Sequence, residues 1–135
     1  MYLLDTNAIS ETAKPKPNAG LTAWLDSVPP TTLFISALTI GEISHGIEKL
    51  PAGERRRQLT RWAEQLVRDT MRGRIIPLDT SSAQEWGRLY ARARQAIPVL
   101  DGLIAATAIV RDFKVVTRNE RHFIAAGAGV FNPWT

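Results

Sequence analysis

The sequence contains no cysteine. That excludes disulfides, thiolate zinc sites and a cysteine nucleophile, and it fits a cytoplasmic protein. Histidine is nearly absent too, with two residues, His45 and His122, neither in a ligand spacing. No apolar run approaches the roughly 18 residues of a membrane span. No basic leader precedes the first apolar stretch, so no signal peptide is expected. Repeats, low-complexity tracts and linkers are all missing, which leaves a single domain over residues 1–135 as the expectation. Acids are in the minority, 13 against 17 lysines and arginines, giving a net charge of +4. Most of those cations are arginine, whose fork matches phosphate, so a polyanionic partner fits this surface.

What is present alternates between short apolar runs and helical patterns. Tyr2-Leu3-Leu4 reads as a buried strand that ends on Asp5, with Thr6 and Asn7 as turn and cap residues before a short helix. Asn18 can cap a second helix. Leu33-Phe34-Ile35 is a second strand, and Ser36 caps a helix with Ile40, Ile43, Ile47 and Leu50 on one face. Residues 54–72 read as one long amphipathic helix, with Leu59, Trp62, Leu66 and Met71 in its apolar stripe. Ile75, Ile76 and Leu78 suggest an edge-like third strand interrupted by Pro77. Ser82 and Glu85 form a capping-box pattern for a helix running on to Ile97 and stopped by Pro98. Asp101 opens a helix that is apolar nearly all round, hence central. Val115-Val116-Thr117 and Val130-Phe131 supply the last strands. The expectation is an α/β sandwich around a mainly parallel sheet of four to five short strands.

Three acids stand in apolar surroundings: Asp5 at a strand end, Glu42 between Ile40 and Ile43, and Asp101 after Val99-Leu100. Each pair of carboxylates held at 4 Å would repel by about 4 kcal/mol at an effective dielectric of 20. Protons or a cation must relieve that. An oxygen-only ligand set favours Mg²⁺ or Mn²⁺ over zinc. Convergence of Asp5, Glu42 and Asp101 on such an ion, under a basic surface, points to metal-assisted hydrolysis of nucleic acid. Two other acid-bearing classes fit poorly. A receiver domain needs an adjacent acidic pair after the first strand, where Leu3-Leu4 stand. A haloacid-dehalogenase-type phosphatase needs an acid two residues after the first, where Asn7 stands.

The stretches Leu3-Leu4-Asp5-Thr6-Asn7, Ile40-Gly41-Glu42, Asp101 to Ala108, Thr117-Arg118-Asn119 and Phe131-Asn132-Pro133-Trp134 together resemble PIN-domain proteins. Their order and spacing look like the VapC toxins of bacterial toxin–antitoxin pairs, the FitB-like branch in particular. The resemblance implies a PIN-like three-layer α/β/α sandwich and a Mg²⁺- or Mn²⁺-dependent endoribonuclease. It implies cleavage that leaves 5′-phosphate and 3′-hydroxyl ends, and a homodimer or dimer of toxin–antitoxin heterodimers. A small VapB- or FitA-like antitoxin would inhibit it and carry operator DNA binding. The family's acidic quartet maps onto Asp5, Glu42, Asp101 and the position of Asn119, with Asp5, Asp101 and Glu42 as metal ligands. Thr6 and Thr117 match small hydroxyl residues lining the site. Arg118 joins them as a substrate-positioning candidate, with Arg55 to Arg57 and Arg121 as candidate backbone contacts. The chain departs from the pattern at Asn119, where relatives carry Asp, or Asn with an acid three residues later; here that place is His122, read as a solvated loop residue. By either alignment the fourth carboxylate is missing. The alternative is therefore a weak or inactive PIN-fold binding module in a regulatory toxin–antitoxin–DNA complex.

Overall fold

A computed structural model describes residues 1–135. The sheet has five strands, β1 (Tyr2–Leu4), β2 (Leu33–Ser36), β3 (Ile75–Ile76), β4 (Lys114–Val116) and β5 (Val130–Phe131). Every pairing is parallel, in the order β3-β2-β1-β4-β5. The chain therefore winds outward from β1 in one direction, then returns to β1's other side with β4. That reversal puts the topological switch point between β1 and β4, where open α/β sheets bind ligands at the carboxyl ends of their strands.

Alternation along each strand divides the core in two. Leu3, Ile76 and Val115 face a layer made by α5 (Thr80–Arg92), α6 (Val99–Ile109) and α7 (Glu120–Ala125). Leu4, Ile35 and Val116 face the opposite layer of α1 (Thr6–Glu11), α2 (Ala19–Ser27), α3 (Ala37–Glu48) and α4 (Glu54–Gln65). The result is the expected three-layer sandwich, with a sheet that is wholly rather than mainly parallel.

Several local expectations are corrected. The long helix over 54–72 ends at Gln65 and continues as one wider turn, Leu66–Thr70, in which Met71 N–H donates to Leu66 C=O at 2.9 Å. Of its stripe, Leu66 and Met71 are buried while Leu59 and Trp62 stay half-buried. Leu78 lies outside β3 and is exposed, because Pro77 cannot donate to a ladder. The capping box at Ser82 and Glu85 does not form. Asp79 caps α5 instead, accepting from Ser82 N–H at 2.9 Å, and Glu85 pairs with Arg88 and Arg92. Ile97 is buried from a loop beyond α5, where its carbonyl accepts from the Tyr90 hydroxyl.

α6 is central as its composition requires: Ile104, Ala105, Ala106, Thr107 and Ala108 are all fully buried. It packs against α5 at Gly102, where an added Cβ would stand 2.8 Å from Tyr90 Cε1 and 3.2 Å from Trp86 Cδ1. Gly102→Ala is expected to force those rings apart and cost about 1–3 kcal/mol, despite alanine's better helix propensity. A urea melt of the variant reads this directly; unchanged stability would mean that the rings shift freely.

Candidate active site

The end of β1 builds the site. Asp5 backbone N–H continues the ladder to Val116 C=O at 2.9 Å, so the strand pairing itself aims residue 5 beyond the sheet. Asp5 also caps α1: its Oδ1 accepts from Thr6 N–H at 2.8 Å. Its Oδ2 accepts from the Thr117 hydroxyl at 2.9 Å, on the neighbouring strand's end. Only 7% of Asp5 is exposed. Burial pushes its pKa up to about 6, against the two hydrogen bonds that stabilise the anion; the negative charges of Asp101 and Glu42 push it the same way.

Thr117 is a junction rather than a lining residue. Fully buried, it donates to Asp5 and accepts from Asn7 Nδ2 at 3.2 Å and Asn119 N–H at 3.0 Å. Thr6 ties Asp5's segment to α3: its hydroxyl donates to Glu42 Oε1 at 2.6 Å. Asp101 occupies the first turn of α6, with Pro98 rather than itself at the N-cap.

A polar cavity of about 390 Å³ opens at this switch point, lined by Asp5, Asp101, Asn119, Glu120, Arg121 and His122. Asp5, Asp101 and Asn119 thus meet there. Glu42 does not line it; with Thr6 it lines an adjoining cleft beside Lys14, Arg55 and Trp62. Arg118 also lies outside the cavity, its guanidinium 6.0 Å from the centre of the Trp134 ring, while its backbone N–H donates to Asn7 Oδ1. Arg56 and Arg57 are engaged by Glu48 and Glu54.

Three participants were not legible in the sequence. Asn7 bridges β1's end to Thr117 and Arg118, although its place directly after Asp5-Thr6 was a usable hint. Glu120 supplies a further carboxylate to the cavity beside Asn119, held by Asn132 Nδ2 at 3.2 Å. The site is therefore not short of an acid in the way the pattern suggests. His122 is no solvated loop residue: it lies in α7, half-buried, with Nδ1 3.1 Å from Asp101 Oδ2.

No three Asp, Glu or His side chains stand close enough to form a ready-made metal cage. The donor chemistry nevertheless fits a hard divalent ion: carboxylate and amide oxygens line one cavity, and the Asp5 pKa, raised chiefly by burial, is pushed up further by the charges of Asp101 and Glu42. A cation bound there would offset those charges.

Residues 2–128 match the PIN domain family. The chain is 39% identical over 137 residues to a VapC ribonuclease of Sinorhizobium fredii, covering 99% of this chain and 98% of that protein. It is equally 39% identical to Toxin FitB of Neisseria gonorrhoeae, over 99% of both chains. Among solved structures, FitAB bound to a DNA fragment superposes with a TM-score of 0.90 at 37% identity, over 100% of this chain and 96% of that one. Fold and relatives agree: the chain belongs to the PIN-domain family, within the VapC and FitB group of toxin–antitoxin proteins.

Proposed function

We propose that this single PIN domain, residues 1–135, is the toxin of a toxin–antitoxin pair and a divalent-metal-dependent endoribonuclease. The observation that carries the reading is the buried Asp5 at the sheet's switch point, its carboxylate on a polar cavity that Asp101 also lines and within reach of the Glu42 charge. Asp5 and Asp101 would hold Mg²⁺ or Mn²⁺, with Glu42 acting from beyond the cavity wall through Thr6 and water. When bound, such an ion lowers the pKa of a water and offsets charge on a scissile phosphate.

The chain's own residues do the rest. Thr6 and Thr117 fix the two sides of the Asp5 segment, so its carboxylate is pre-aimed rather than recruited. Asn119, on the cavity wall, offers an amide donor and a carbonyl acceptor for water or a phosphate oxygen. Arg121 faces the same space and suits an RNA phosphate better than Arg118, whose side chain lies over Trp134. Substrate phosphate would bring the negative charge that balances this cation next to a carboxylate pocket.

A small antitoxin of the VapB or FitA kind is the proposed inhibitor, contributing operator DNA binding, and a cytoplasmic homodimer or dimer of heterodimers the working assembly. The test is cleavage of mixed structured and single-stranded RNAs by antitoxin-free protein with Mg²⁺, Mn²⁺ or EDTA. Cleavage that appears with either metal and vanishes with EDTA is expected. Metal-independent cleavage that survives in Asp101→Asn would end this reading; no cleavage by a folded, metal-binding protein would favour a regulatory binding module.

A further inference from the structure

His122 stands where one form of the family pattern implied by the resemblance has an acid, and the structure gives it defined neighbours on both sides of its ring. Arg121 Nη2 lies 3.3 Å from His122 Nε2. Arginine can only donate, so Nε2 is the acceptor and the ring proton sits on Nδ1. Nδ1–H then donates to Asp101 Oδ2 at 3.1 Å. The His122 and Asp101 side chains are 26% and 29% exposed, so the bond is largely shielded from water. Asp101 has no other side-chain hydrogen-bond partner, so its second oxygen, Oδ1, is unengaged, and both residues line the same cavity.

We propose that His122 is a positioning residue for Asp101: the Arg121–His122–Asp101 relay holds one carboxylate oxygen and presents the other, singly, to a divalent cation. This rests on the metal-dependent reading above and goes beyond it. An acid at position 122 would add negative charge and compete for the same space as a ligand. The imidazole adds a donor instead, so it orders an existing ligand without entering the metal's shell. Outer partners of this kind are worth about 10- to 100-fold in metal affinity.

The experiment is a Mn²⁺ titration of the full chain at pH 8, followed by electron paramagnetic resonance, for the wild type, His122→Ala, His122→Asn and Arg121→Ala. Loss of the relay in His122→Ala is expected to weaken Mn²⁺ binding about 10- to 100-fold. His122→Asn, whose amide can donate from near the Nδ1 position, should recover most of it. Arg121→Ala should weaken binding in the same direction but less, and as a surface change it remains informative if His122→Ala fails to fold. Affinity unchanged or tightened in the alanine variants overturns the proposal. So does nitrogen coupling from the His122 imidazole in the wild-type Mn²⁺ spectrum, which would make the residue a direct ligand. His122-dependent Mn²⁺ binding without any RNA cleavage would sink the ribonuclease reading and leave the relay standing. Indifference to His122 with RNA still cut would do the reverse. A wild type that takes up no Mn²⁺ overturns both.

Discussion

Asp5→Asn is expected to abolish RNA cleavage and, at the same time, to make the protein more stable at pH 8. The two effects share one cause. The fold holds the Asp5 carboxyl at a pKa of about 6 against an ordinary 3.8, chiefly by burying it. An acid whose pKa is raised on folding stabilises the native state while protonated. That contribution is complete below pH 3.8 and is lost as pH rises through 6. At pH 8 the anion therefore carries a cost of roughly 3 kcal/mol. Asparagine removes the charge and keeps an oxygen to accept from Thr6 N–H. Its NH₂ group would face a Thr117 oxygen that already accepts from Asn7 and Asn119, so one of those bonds must give way, at a cost of about 1–2 kcal/mol. A net gain of about 1–2 kcal/mol should raise the melting temperature at pH 8 by several degrees. The gain should disappear at pH 4, where the wild-type carboxyl is already protonated. Wild-type cleavage should in turn rise as pH increases through 6. Thermal melts of both proteins at pH 4 and 8, beside a cleavage assay, read all three. A variant less stable than wild type at pH 8 would show that Asp5 is not held under electrostatic stress, and full cleavage activity would remove it from the mechanism.

Thr117→Val carries the second large effect. Valine fills the same buried volume but cannot serve any of the three partners of the Thr117 hydroxyl: Asp5, Asn7 and Asn119. Losing these bonds and leaving the buried Asp5 Oδ2 without its partner should cost about 2–4 kcal/mol. The hydroxyl is also the strongest influence holding the Asp5 pKa down. Without it that pKa should climb further, and the acidic limb of the cleavage profile should move to higher pH. Thr117→Ser, which keeps the hydroxyl, should restore the pH midpoint even where it lowers stability by losing a methyl. A valine variant with an unmoved midpoint would show that Thr117 supports the fold alone.

The parts of the molecule that came straight from the sequence are those governed by short-range pattern. Leu3-Leu4, Leu33 to Ile35 and Val115-Val116 are short apolar runs between turn signals, and each is a strand; Ser36 and Asn18 cap the helices that follow them. Helix ends depart from the sequence expectation where competing local signals stand close together. Asp79 won the cap from Ser82 because its carboxylate also pairs with Arg111, at 2.7 Å, a partner 32 residues away. The wider turn after Gln65 has no local mark, since Leu66 to Thr70 are all residues a helix accommodates.

The acids at 5, 42 and 101 were conspicuous by sequence because a charge in apolar surroundings demands a reason. Their relation in space was not. Tertiary structure decided that Asp5 and Asp101 share a cavity while Glu42 lies in the next cleft, bonded to Thr6. It brought in Glu120 as a further acid and turned His122 from a loop histidine into a partner of Asp101. The sequence determined by itself the strand and helix alternation and the parallel sheet, and it marked out the acids at 5 and 101, because these follow from periodicity and from residue chemistry. Only the tertiary structure decided which oxygens face which, because that depends on strand order and helix packing across more than a hundred residues, with Asp5 and Thr117 meeting at a separation of 112.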